Sequence, residues 1–138
     1  MSSSEPWLTL GRGYETSLRL VEDTNRETYL ARWGGQRCGF VILSLRGALS
    51  GYLQSICVTA DHRGQGLGTE LMAFVEERIF REFPNVFLCV SSFNPRARQL
   101  YERLGYAAIG ELKDYIARGY SEILLRKTIG SAAEFQRR

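Results

Sequence analysis

A chain of 138 residues, 44% of them hydrophobic and 24% charged, has the length and composition of one domain with an ordinary core. Its net charge of +3 is too small to argue for nucleic acid, and no apolar run approaches the length of a membrane span. Met-Ser-Ser-Ser-Glu-Pro lacks the basic-then-apolar pattern of a secretory leader. The three cysteines, Cys38, Cys57 and Cys89, are odd in number, lack metal spacing and sit in apolar strand-like runs, so free thiols in a reducing cytoplasm are expected.

The serine-rich start, residues 1–6, reads as a flexible end. Leu10, Tyr14, Leu18 and Val21 recur at helical spacing, which predicts a short helix over residues 11–22. Residues 28–32 and 37–46 read as two strands joined by a tight turn at Gly34-Gly35. Phe40, Val41, Ile42 and Leu43 are apolar on both strand faces, which predicts a central strand covered on both sides. A further strand covers 52–59. The helix over 69–83 buries Leu71, Met72, Val75, Ile79 and Phe83, with Glu76, Glu77, Arg78, Arg81 and Glu82 opposite and Glu77–Arg81 as an i,i+4 pair. Pro84-Asn85 ends it. The next strand, 86–93, follows a helical crossover and so runs parallel to the strand before that helix. Asn94-Pro95 opens a second helix with Ala97, Leu100, Tyr101 and Leu104 on its apolar stripe and Gly105 at its end. Residues 106–111 and 122–127 read as the last strands, with a loop at 112–121 and a polar tail at 130–138.

Two stretches carry chemistry. In Arg63-Gly64-Gln65-Gly66-Leu67-Gly68-Thr69 a strand runs through a glycine-rich turn into a helix start. The first helical N–H groups have no intrahelical partner and the helix dipole adds positive character, so this arrangement can take an anion such as a phosphate. No lysine follows Gly68, which excludes the phosphate-loop pattern of nucleotide triphosphatases. The spacing Gly64, Gly66, Gly68 does not fit the dinucleotide pattern either. What stands is Arg63-x-x-Gly66-x-Gly68. The second stretch is Asn94-Pro95-Arg96-Ala97-Arg98-Gln99-Leu100-Tyr101-Glu102-Arg103-Leu104-Gly105-Tyr106.

Both stretches, in this order, resemble the signatures of the GNAT family of N-acetyltransferases, and the resemblance covers residues 28–127. It implies an α/β (α+β) fold: a central mixed, largely antiparallel sheet with two splayed parallel strands and helices on both faces. It also implies acetyl-coenzyme A as co-substrate and no metal. The pantetheine arm would pair with backbone groups of Ile56, Cys57 and Val58. The pyrophosphate would sit on the loop Arg63, Gly64, Gln65, Gly66, Gly68 and Thr69. Asn94 would contact the pantetheine, beside its plainer reading as a helix cap worth about 1 kcal/mol. Tyr101 would protonate the departing thiolate as the catalytic acid, beside its plainer reading as a core residue.

The implied function is transfer of an acetyl group from acetyl-coenzyme A to an amine by direct attack in a ternary complex. The acceptor is a small metabolite or a protein amino group. A non-catalytic acyl-coenzyme A sensor is the alternative. Glu111, Asp114 and Glu122 are candidates for the base, since residues 52–59 hold no carboxylate. His62 reads as an exposed or capping residue. The short region before residue 28 departs from the family and predicts an abbreviated acceptor side. Tyr14, Glu15, Tyr29, Leu49 and the loop at 112–121 would wall it, or a second copy in a homodimer would complete it. No nucleic-acid or membrane partner is expected.

Overall fold

The computed structural model of the protein describes residues 8–10 and 26–135. In chain order the elements are β1 (Leu8–Leu10), β2 (Arg26–Trp33), β3 (Gln36–Ser44), β4 (Tyr52–Val58), a 3-10 turn (Ala60–His62), α1 (Leu67–Phe80), β5 (Asn85–Ser91), α2 (Pro95–Arg103), β6 (Ala107–Lys113) and β7 (Ser121–Thr128). The strands form one sheet in the order β1-β2-β3-β4-β5-β7-β6. Every neighbouring pair is antiparallel except β4–β5. Sequence patterning did not reveal β1, a three-residue strand held by its pairing with Tyr29–Ala31 of β2. The helix expected over 11–22 lies outside the described residues, as do residues 1–6, Tyr14, Glu15 and the end of the tail.

The core lies between the sheet and α1. Val41 and Leu43 of β3, Val86 and Leu88 of β5, and Leu125 of β7 meet Leu71, Met72, Val75 and Ile79 of α1, and all are buried. Full burial of such side chains is worth about 1.5–3 kcal/mol each. Tyr29 stacks edge-on against Phe74 at 4.7 Å, which extends this face to β2. α2 lies on the same side: Leu100 packs against the backbone at Gly68, and Tyr101 and Tyr106 join the same core. Both described helices therefore cover one face. On the other face Phe40 and Ile42 are only partly buried, so β3 is less enclosed than its sequence predicted. The edge strand β6 is exposed at all seven positions.

The polar side of α1 is not the solvated surface expected. Arg78 donates to both carboxylate oxygens of Glu27 at 2.8 and 2.9 Å and also reaches Glu82 at 3.3 Å. The helix ion pair is thus Arg78–Glu82 rather than Glu77–Arg81. Glu76 accepts from Tyr106 Oη at 3.0 Å and from Lys127 Nζ at 2.9 Å. Burial alone would raise the Glu27 pKa, but hydrogen bonds from Arg78 and Tyr29 and the Arg78 charge outweigh it and hold it below 4.5. A depressed carboxylate stabilises the fold above its unfolded value and loses that contribution as pH falls through its folded value. Arg78→Ala is therefore expected to lower stability at pH 7 by about 1–2 kcal/mol. Urea titrations of both proteins should show the gap narrowing in acid, as pH falls through the depressed folded-state value of Glu27.

Candidate active site

The parallel strands β4 and β5 touch at two register positions only, Tyr52↔Phe87 and Leu53↔Leu88. Beyond them β4 stays paired with β3 and β5 with β7, so the sheet opens between them. A β-bulge contributes to the geometry. Leu43 pairs with Leu53 and Ile42 with Ser55, which leaves Gln54 as the extra residue. The bulge shifts side-chain alternation by one. Ile56 and Val58 consequently pack towards the helices, and Cys57, opposite Phe40, faces away. Thr59 N–H bonds to the Cys38 carbonyl, and the Cys57 carbonyl lies against Gly39. The alternation thus turns the backbone of Cys57 to β3 and that of Ile56 and Val58 into the opening. Cys57 lines the opening but cannot offer it a backbone amide, contrary to the sequence reading.

At the wide end lies the glycine loop. Gly66 stands at the helix N-cap with φ 81° and ψ 6°, a conformation that suits glycine, and no side chain caps the helix. The first ladder bond runs from Glu70 N–H to the Gly66 carbonyl at 3.1 Å. The N–H groups of Leu67, Gly68 and Thr69 are left outside the helix ladder. A Cβ on Gly64 or Gly66 would meet nothing within 4 Å, so the loop backbone borders open space. Arg63 donates through Nε to the Val58 carbonyl at 3.1 Å, which fixes its guanidinium beside the loop and uses one of the freed acceptors of β4. His62 Nδ1 lies 2.9 Å from Thr59 Oγ1, a side-chain contact within the turn.

Two cavities meet here. The first, a groove of about 680 Å³, is lined by Ile56, Cys57, Val58, Arg63, Gly64, Gly66, Gly68, Thr69, Asn94 and Tyr101 from the expected set. Gln65 belongs to the loop but is exposed and points its surface elsewhere than this groove. Arg96 and Arg103 of α2 line the groove as well. With Arg63 they give it three guanidinium groups around the amides of a helix start, a donor set matched to phosphates. The second cavity, a slot of about 360 Å³, passes between β4 and β5. Its wall includes Gln54, Ser55, Cys89, Ser91 and Glu122. Glu122 was a candidate for the base from sequence, whereas Arg96, Arg103 and Ser91 carried no sequence signal beyond polarity.

Ile56, Asn94, Ala97 and Tyr101 line both cavities. Asn94 Oδ1 accepts from Ala97 N–H at 3.2 Å as the N-cap of α2, so its amide nitrogen is left for other partners. Tyr101 is 7% exposed. A C-terminal cap fixes it: Gly105 N–H bonds to the Glu102 carbonyl, and Tyr106 N–H reaches back to the Tyr101 carbonyl. This double bond pattern needs the left-handed φ of 101° at Gly105. It brings the Tyr106 ring edge-on to that of Tyr101 at 6.1 Å. Burial pushes the Tyr101 phenol above its ordinary pKa of 10, so the hydroxyl stays protonated at neutral pH. Among the described residues that hydroxyl has no hydrogen-bond partner. Glu111 is held by Ser121 Oγ at 2.6 Å and Asp114 accepts from Gly119 N–H to close its own loop, and neither lines the groove or the slot.

A mixed sheet opened at its single parallel pair, with an uncapped glycine-loop helix start at the wide end, is the architecture of a ligand-binding acyltransferase-like domain. Residues 2–106 match the acetyltransferase (GNAT) family, and the chain belongs to that family. It is 31% identical over 90 residues to blasticidin-S acetyltransferase of Streptomyces morookaense, a match covering 60% of this chain and 66% of that protein, just under two thirds of its length. Among solved structures it resembles one described as a GNAT-family acetyltransferase from Desulfovibrio desulfuricans (TM-score 0.72, 21% identity, 84% of this chain and 78% of that one). Another, described as a streptothricin acetyltransferase of Bacillus anthracis and solved with acetyl-coenzyme A, aligns with TM-score 0.70 at 21% identity over 79% of this chain and 65% of that one. These two likenesses show the fold. Among the described residues no helix is long and apolar enough to cross a membrane.

Proposed function

We propose that the protein transfers the acetyl group of acetyl-coenzyme A to the nitrogen of a small amine, within a ternary complex. The observation that carries this reading is the position of Tyr101, on the wall shared by the basic groove and the slot through the sheet. In a protein that only bound the cofactor, Tyr101 would serve as a core side chain packed on Tyr106 and nothing more.

The geometry supports the following assignments. The amides of Gly66 to Thr69 and the guanidinium groups of Arg63, Arg96 and Arg103 take the phosphates. The backbone of Ile56 and Val58 pairs with the pantetheine arm, and Asn94 offers its amide nitrogen beside it. On this reading the Val58 N–H polarises the thioester carbonyl. The amine, entering from the slot, attacks that carbonyl with its lone pair. The new C–N bond forms, the C–S bond breaks, and Tyr101 gives its proton to the departing sulfur. The proton shed by the amine nitrogen restores Tyr101. The products are an amide and free coenzyme A. The three unpaired cysteines suit a reducing compartment such as the cytoplasm.

Thiol release from acetyl-coenzyme A, followed at pH 8 with a panel of primary amines, tests the reading. Release should depend on amine and saturate with its concentration. Tight acetyl-coenzyme A binding with no amine-dependent release would favour the non-catalytic alternative instead.

A further inference from the structure

The two cavities that meet at Tyr101 have opposite charge. The groove carries Arg63, Arg96 and Arg103, whereas among the described residues no basic side chain lines the slot. Among the described residues Glu122 is the only charged group that lines the slot. It stands on β7, across from the α2 wall that carries Tyr101, and its register partners are Ser91 on β5 and Leu112 on β6. Ser91 Oγ donates to Glu122 Oε2 at 2.6 Å, which fixes the carboxylate in place. Among the described residues no Lys or Arg forms an ion pair with Glu122. Tyr52, Cys89 and Tyr115 lie near it; burial first, then these neighbours and Glu122, push the Tyr52 phenol above its ordinary value. A half-buried carboxylate, held by a hydroxyl and lacking a cationic partner, is a site for a cation supplied from outside.

We propose that Glu122 is the acceptor-recognition residue, and that it binds a second, protonated nitrogen of the acceptor while the reacting nitrogen faces Tyr101. The preferred acceptors are then small aliphatic diamines or longer polyamines rather than monoamines. This inference rests on the acetyl-transfer reading above. Glu122 recognises and does not abstract the proton, because an alkylammonium holds its proton far more tightly than a carboxylate does. The slot's volume suits a short aliphatic chain. The segregation of charge also sorts the two substrates: phosphates are drawn to one opening and ammonium groups to the other.

The test compares 1,4-diaminobutane, n-butylamine and hydroxylamine, the last neutral at pH 8, as acceptors for wild type, Glu122→Gln and Glu122→Asp. Calorimetry with acetyl-coenzyme A is run on each protein as a check on fold. In wild type the diamine should show a KM at least tenfold below that of n-butylamine. Glu122→Gln should raise the diamine KM at least tenfold with kcat within about threefold, leave hydroxylamine unchanged and bind acetyl-coenzyme A normally. Glu122→Asp should fall between the two, and it decides the matter if the glutamine variant does not fold. Equal use of monoamine and diamine by wild type, or a diamine KM unmoved by either variant, overturns the assignment and leaves the acetyl-transfer reading intact. An equal loss for diamine and hydroxylamine also overturns it, since that marks a structural role. Release with no amine at all is the separate failure of the transferase reading.

Discussion

Gly66→Glu is expected to abolish binding of acetyl-coenzyme A. Calorimetric titration should show a dissociation constant raised at least a hundredfold, roughly 2.7 kcal/mol or more. Two effects add. Gly66 holds φ 81° at the helix start, and a side chain there must adopt a left-handed backbone at a cost of about 1–2 kcal/mol. The new carboxylate would project into the space next to the loop, where nothing lies within 4 Å of a Cβ. Placed about 4 Å from a phosphate, it would repel each unit of charge by roughly 4 kcal/mol at an effective dielectric of 20. The helix itself should survive, because Leu67, Leu71 and Met72 anchor its first turns in the core. The thermal midpoint should then drop by only a few degrees. Unchanged affinity in a folded variant would place the phosphates elsewhere.

Tyr101→Phe separates binding from chemistry. Removing one oxygen leaves the ring in place against Tyr106 and preserves the cap at Gly105. The departing sulfur then loses its proton donor. Turnover is expected to fall about 10–100-fold, or about 1.4–2.7 kcal/mol in barrier, with the acetyl-coenzyme A dissociation constant within twofold of wild type. The raised pKa of the buried phenol means that the acid form is present throughout the neutral range, so the loss should be similar from pH 6.5 to 9. Full activity in the variant would make Tyr101 a core residue and nothing more.

The fold was legible where local rules act alone. Double-sided apolar runs marked the strands, and Asn94-Pro95 and Gly105 bracketed α2 within a residue. The glycine loop declared an anion site because uncapped amides follow from spacing. What sequence did not show depends on partners far along the chain. The polar residues of α1 look like a wet face by periodicity, yet Glu76 bonds to Lys127 and Arg78 to Glu27, both 51 residues away. The bulge at Gln54 leaves no mark in Tyr-Leu-Gln-Ser-Ile-Cys-Val, although it decides that Ile56 and Val58 rather than Cys57 turn towards the helices. Arg96 and Arg103 could be assigned to the groove only once α2 was seen to lie along it. The exposure of β6 at every position reflects its place at the sheet edge, which composition does not report.

The brief contact between β4 and β5 divides the sheet into two leaves, β1 to β4 on one side and β5 to β7 on the other. A seam of this kind is where native chains open locally at least cost. A donor molecule lying in it would be held by the backbone of one leaf and the side chains of the other, and so would stitch them together. Its binding free energy then adds to the free energy of folding, by about 2.7 kcal/mol at a concentration a hundredfold above the dissociation constant. On the proposed reading, the supply of activated acetyl groups would govern how much of this protein persists against proteolysis, as well as how fast it works.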